Sequence, residues 1–130
     1  MGAGESHGAV GVLTVDDKPL FRTAAATVVE ATPGFVAVGE AATGQEAIRL
    51  SALVEPDLML VDVRMPGMDG IETARRLAAI RPEAVVVLIS IDDLTGFEAL
   101  LRRSGAAASV RKQELCPGVL ERLWAEHRPR

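Results

Sequence analysis

Asp16 and Asp17, Asp62, Ser90 and Lys112 stand at the ends of four apolar runs, VGVLTV, LMLV, AVVVLI and AAASVR. Their types suit phosphate chemistry. Grouped carboxylates bind a hard cation such as Mg²⁺ through oxygen while the ion keeps several waters. Three acids around one dication still leave a negative site, and without a cation the like charges raise one another's pKa. With the cation in place a carboxylate can attack phosphorus, because the metal offsets repulsion from the phosphoryl oxygens. An ammonium such as Lys112 can neutralise one phosphoryl oxygen, and a hydroxyl such as Ser90 can donate to another.

Residues this far apart in sequence meet only if strands deliver them to one edge. In an open parallel sheet the ligand crevice lies just past the carboxyl ends of the strands, and each apolar run reads as a buried strand ending in one of these groups. Strands are expected at Val10 to Val15, Phe35 to Ala41, Leu58 to Asp62, Ala84 to Ser90 and Ala107 to Arg111. Turn signals separate them at Pro33-Gly34, Glu55-Pro56, Arg81-Pro82 and Ser104-Gly105. Strands and helices alternate five times, which predicts an α/β fold with a parallel sheet covered on both faces.

Helix one opens at Pro19, where a missing amide hydrogen is tolerated, and is expected to bury Phe21, Ala24, Ala25 and Val28. The starts Thr43-Gly44-Gln45-Glu46 and Asp69-Gly70-Ile71-Glu72 predict reciprocal caps for helices two and three. Helix four, after Asp92-Asp93, has the weakest pattern, carried by Phe97, Leu100 and Leu101. Helix five, entered near Pro117, is expected to bury Leu115, Val119 and Leu123, with Trp124 at the edge of its apolar face.

A chain of 130 residues fits one domain. The formal charge of -4 argues against a nucleic-acid surface, which needs clustered Lys and Arg. Cys116 is the single cysteine, so no internal disulfide forms and a cytoplasmic location is the expectation. No apolar run approaches the ~20 residues that span a bilayer, and the start MGAGESHGAV lacks the basic and apolar regions of a secretory signal. His7 and His127 have no ligand at metal-site spacing. Residues 1–8 read as a flexible tail and 9–128 as the folded domain.

Four strings carry a resemblance to the receiver domains of two-component response regulators. They are Val15-Asp16-Asp17, the stretch LMLVDVRMPGMDG from Leu58 to Gly70, Leu88-Ile89-Ser90, and Gly105-Ala106 followed by Lys112. The chain is also similar, in Asp17-Lys18-Pro19-Leu20-Phe21-Arg22 and Val38-Gly39-Glu40-Ala41, to receivers joined to a LuxR-type helix-turn-helix, and no such output domain is expected within these 130 residues. The resemblance implies a flavodoxin-like, doubly wound (βα)5 fold with strand order 2-1-3-4-5. Asp62 would be the phosphoacceptor, served by a histidine kinase or phosphotransfer protein. Asp17 would bind Mg²⁺ directly, Asp16 mainly through water, and the backbone carbonyl of Arg64 would be a further ligand. Ser90 and Lys112 would contact the phosphoryl group. Such a domain is regulatory rather than an enzyme, and it acts on a downstream protein or an output domain; a homodimer is compatible with this reading.

The chain departs from the family at two places. Ser109 stands where Tyr or Phe usually rotates on phosphorylation, so a signal would have to pass through the loop Ser90–Asp93 and helix four. Ile91 stands where a small residue usually leaves the acceptor open, and a β-branched side chain there would slow access. Arg64 is placed to pair with Asp92 or Asp93 across the mouth, and the bond after Lys112 is often cis in the family. These departures keep open a pseudo-receiver, a protein-interaction module that does not use phosphorylation. A haloacid-dehalogenase-type hydrolase would need an acid where Arg64 stands, and a flavin or nucleotide binder would need a phosphate cradle where the chain has DDKPLF.

Overall fold

A computed structural model describes residues 8–130; the tail expected over residues 1–8, apart from Gly8, and with it His7, lies outside the described residues. Five strands, β1 (Val10–Val15), β2 (Phe35–Ala41), β3 (Leu58–Asp62), β4 (Val85–Ser90) and β5 (Ala108–Arg111), alternate with five helices. The helices are α1 (Pro19–Glu30), α2 (Gly44–Val54), α3 (Gly70–Ile80), α4 (Glu98–Ser104) and α5 (Pro117–His127). All strand pairs are parallel, in the order β2-β1-β3-β4-β5. This is the doubly wound order expected from the resemblance.

The three central strands are buried along their whole length because helices cover both faces. Alternate side chains divide between two cores. Val10, Val12, Leu58, Leu60, Val85, Val87 and Ile89 pack with residues of α1 and α5, while Leu13, Val15, Met59, Val61, Val86 and Leu88 pack with residues of α2 and α3. Each such side chain contributes ~1.5–3 kcal/mol by leaving water, which fixes the strand ends that carry the acids.

Several expectations need correction. Of the run AAASVR only Ala108–Arg111 form a strand, starting one residue later than expected, and it is an edge strand in which Val110 alone is buried, because β5 has a neighbour on one side only. Ala84 hydrogen-bonds in a turn with Arg81, so β4 begins one residue later than expected. On α1, Ala25 and Val29 are buried and Ala24 is exposed, since the helical period puts Ala25 and Val29, four apart, on the inner face. On α5 the fully buried residues are Leu120 and Leu123, Val119 is partly covered, and Leu115, also partly covered, lies before the helix begins.

The caps form by halves. Thr43 and Asp69 each accept from the amide three residues on, at 3.1 and 2.9 Å. Glu46 returns to the N–H of Ala42 rather than of Thr43. Glu72 turns instead to Arg75 and Arg76, at 2.6 and 2.8 Å, and these guanidinium groups lower its pKa to about 2. Two cations on the same helix face outcompete one backbone amide.

Gly70 opens α3 directly beneath the end of β3. Its N–H donates to the Val63 carbonyl at 3.0 Å, and a Cβ here would overlap the Asp62 carbonyl oxygen and lie 2.6 Å from Val63 Cα. Both obstacles are backbone and cannot turn aside. Gly70→Ala is therefore expected to lower stability by about 2 kcal/mol or more and to displace the segment from Val63 to Asp69. Urea unfolding measures the first effect, and amide chemical shifts of that segment measure the second.

Candidate acidic phosphoacceptor site

The strand order reverses between β1 and β3, and the crevice of such a sheet opens outside the carboxyl ends there. Asp16 and Asp17 follow β1, and Asp62 ends β3. Their carboxylate oxygens come within 4.8 Å of one another. Asp16 and Asp62 are buried, and Asp17 is partly exposed.

Lys112, just past β5, reaches across this group. Its Nζ lies 2.6 Å from Asp16 Oδ2 and 3.5 Å from Asp62 Oδ2, with the side chain only 12% exposed. The ammonium also sits 4.6 Å from the centre of the Phe21 ring, a cation–π contact that supports it from α1. Lys112 begins a single 3-10 turn, Lys112–Glu114, and the bond that follows it is trans rather than cis, the lower-energy form for a non-proline residue.

Asp16 Oδ1 accepts from the N–H of Lys18 at 2.8 Å, and Asp62 Oδ1 accepts from the N–H of Arg64 at 3.2 Å. The Oδ2 atoms of both residues are buried without an aligned hydrogen bond, so the contacts with Lys112 are ion pairs. An all-oxygen donor set with two buried, unbonded carboxylate oxygens fits a hard dication. Burial is the chief reason that the Asp62 pKa is raised, and the neighbouring Asp16 adds to it; the Arg64 amide and Lys112 oppose the rise.

Asp62 lies in a cavity of 130 Å³ lined by Lys18, Arg64, Ser90, Ile91, Asp92 and Lys112. Ser90 ends β4, and its Oγ accepts from the N–H of Asp92 at 3.0 Å. Ile91 stands at the rim with 62% of its surface exposed. Arg64 pairs with Asp92, Nη2 to Oδ2 at 2.6 Å, across the mouth. Both partners are well exposed, so the pair contributes ~0–1 kcal/mol. Ser109 lies apart from the acidic cluster, in a second cleft of 320 Å³ shared with Asp92, Asp93, Leu94, Thr95, Arg111 and Glu114.

Asp62, Ser90 and Lys112 thus line one cavity, and Asp16 and Asp17 join it through their cluster with Asp62 and, for Asp16, through Lys112. Three contributors had no separate signal in the sequence. Phe21 read as a core residue, Gly70 as part of a cap, and Arg22 only as a letter in a family string. Gly70 could have been suspected from its place directly after Asp69, where the chain must turn back under a strand.

Residues 12–118 match the family model described as "Response regulator receiver domain". The chain is 35% identical over 101 residues to the response regulator GacA of Pseudomonas aeruginosa, an alignment covering 78% of this chain and 47% of that protein. The chain therefore spans about half the length of this curated relative. A LuxR-family two-component response regulator from Aurantimonas sp. SI85-9A1 superposes with a TM-score of 0.81 at 29% identity, covering 92% of this chain and 88% of that one. The signal receiver domain of the putative response regulator NarL from Mycobacterium tuberculosis does so with a TM-score of 0.77 at 32% identity, covering 88% and 96%.

The raised pKa of Asp62 makes stability depend on pH. An acid that binds its proton more tightly when folded contributes stability that is fully present below its unfolded value of 3.8 and is lost as pH rises through the folded value. At neutral pH, Asp62→Asn is expected to melt at a higher temperature than the wild type in chelator-containing buffer. The difference should shrink as pH falls below 4. Thermal unfolding across a pH series measures it.

Proposed function

The chain belongs to the family of response regulator receiver domains of two-component systems, and we propose that Asp62 takes a phosphoryl group from a histidine kinase or phosphotransfer protein. The observation that carries this reading is the placement of a buried, incompletely hydrogen-bonded carboxylate beside two further acids and one partly buried ammonium, in the lining of a cavity.

In the transfer, a carboxylate oxygen of Asp62 attacks phosphorus while the bond from phosphorus to the donor imidazole nitrogen breaks. That nitrogen leaves with the bonding electrons. The Arg64 amide holds Asp62 Oδ1 and leaves Oδ2 for attack. Lys112 moves its charge from two carboxylates toward a phosphoryl oxygen. The Ser90 hydroxyl, which accepts from the Asp92 amide, keeps its own proton to donate to another phosphoryl oxygen. Asp16, Asp17, Asp62 and the Arg64 backbone carbonyl would hold Mg²⁺, which offsets repulsion between the attacking carboxylate and the phosphoryl oxygens.

The product adds about two negative charges beside Arg64 and the start of the β4–α4 loop. Asp92, bonded to both Arg64 and Ser90, is the group such a charge would dislodge. The change would alter preference for a downstream protein or an attached output domain. Asp17, Asp93 and Glu98 around this end disfavour direct nucleic-acid contact, and we place the domain in the cytoplasm on the family's role.

Incubation with a small-molecule phosphodonor and Mg²⁺, followed by intact mass, is expected to show one phosphoryl adduct. Asp62→Asn or chelation should abolish it. Ile91→Ala should raise both the phosphorylation and the hydrolysis rate several-fold by opening the rim, and unchanged rates would remove Ile91 as a gate. No adduct with either the wild type or Ile91→Ala would favour the pseudo-receiver.

A further inference from the structure

The two strings Asp17-Lys18-Pro19-Leu20-Phe21-Arg22 and Val38-Gly39-Glu40-Ala41 are joined in the fold by an ion pair that ends on the acidic cluster. Arg22 Nε lies 3.0 Å from Glu40 Oε1, and Arg22 Nη1 donates to the Asp16 backbone carbonyl at 2.7 Å. The guanidinium side chain is only 18% exposed. Its planar fork serves both acceptors at once, which a single ammonium cannot reproduce in the same geometry.

A register slip delivers Glu40 to this place. Val12 partners Ala37 but Leu13 partners Gly39, so β2 carries one extra residue at Val38. A slip of one residue exchanges the faces of a strand. Phe35 and Ala37 consequently pack on the α1 and α5 side, Ala41 packs on the α2 and α3 side, and Glu40 turns toward α1. Without the bulge Glu40 would point away from Arg22.

Asp16 is held at four atoms from four segments. Its N–H donates to the Ala41 carbonyl at 3.0 Å, its carbonyl accepts from Arg22, Oδ1 accepts from the Lys18 amide, and Oδ2 pairs with Lys112. Two of these anchors are side chains. Lys112 touches the carboxylates themselves, whereas Arg22 bonds the backbone of Asp16.

We infer that the Arg22–Glu40 pair is a brace that positions Asp16 and thereby sets the cation affinity of the Asp16, Asp17 and Asp62 cluster. Arg22 is a positioning residue: it orients a ligand from outside, as the partners of metal ligands do. The inference rests on reading the cluster as a Mg²⁺ site.

The test is calorimetric titration of the full chain with Mg²⁺ after metal removal, alongside thermal unfolding in chelator. Arg22→Met is expected to weaken Mg²⁺ binding about tenfold. Glu40→Gln should weaken it about threefold, and the double variant should bind no more weakly than Arg22→Met, because Glu40 acts through Arg22. Arg22→Lys should fall between Arg22→Met and the wild type. If Arg22→Met does not fold, Glu40→Gln and Arg22→Lys carry the same comparison. Lower melting temperatures with unchanged Mg²⁺ affinity would overturn the brace while leaving the phosphoacceptor reading intact. A wild type that takes up no Mg²⁺ would overturn both, and the wild-type titration separates these outcomes.

Discussion

Two carboxylates and one ammonium share a volume from which most water is excluded, and the third acid stands at its edge. Lys112 Nζ lies between Asp16 and Asp62, closer to the first, and the Phe21 ring supports it from α1. Like charges repel more strongly where protein replaces water, so this group stays together only because separate elements hold each member. Burial first, and the neighbouring Asp16 after it, hold the Asp62 pKa above its usual value against the opposing Arg64 amide and Lys112. The fold thus gathers the charges in one place before any partner arrives, and on the proposed function Lys112 is the member that would shift when a phosphoryl group enters.

The scaffold around this group has a stiff side and a softer side. On the stiff side, β1 and β3 are buried throughout, Gly70 brings α3 into contact with the end of β3, and Arg22 ties α1 and β2 to the backbone of Asp16. On the softer side, the segment from Ile91 to Phe97 is largely exposed and leads into α4, a helix of seven residues. Few buried contacts mean a low free energy of local opening. On the proposed function, a charge added at Asp62 would act on a boundary between a part that resists movement and a part that yields.

Arg64, Asp92 and Ser90 lie on that boundary and are linked in series by a surface ion pair and one amide-to-hydroxyl bond. Ser109 lies in the neighbouring cleft without the bulk to fill it. In this chain a packing change at β5 cannot come from a rotating aromatic ring. Polar contacts of the β4–α4 loop share the cavity of Asp62 and would be the elements to respond to a change of charge there.

The sequence by itself determined which segments become central strands, because unbroken apolar runs can be buried only between two helical layers. It also determined where the reactive groups fall, because each follows such a run. The tertiary structure decided everything that depends on register and on competition between partners. AAASVR became an edge rather than a buried strand because position in the sheet, not composition, sets its neighbours. Glu72 left its cap for Arg75 and Arg76, a choice between donors of similar reach. The meeting of Arg22 with Glu40 depends on one extra residue at Val38, whose effect on side-chain facing appears only when β2 is laid against β1. Local pattern carries burial, but pairing across a sheet is a property of two strands at once.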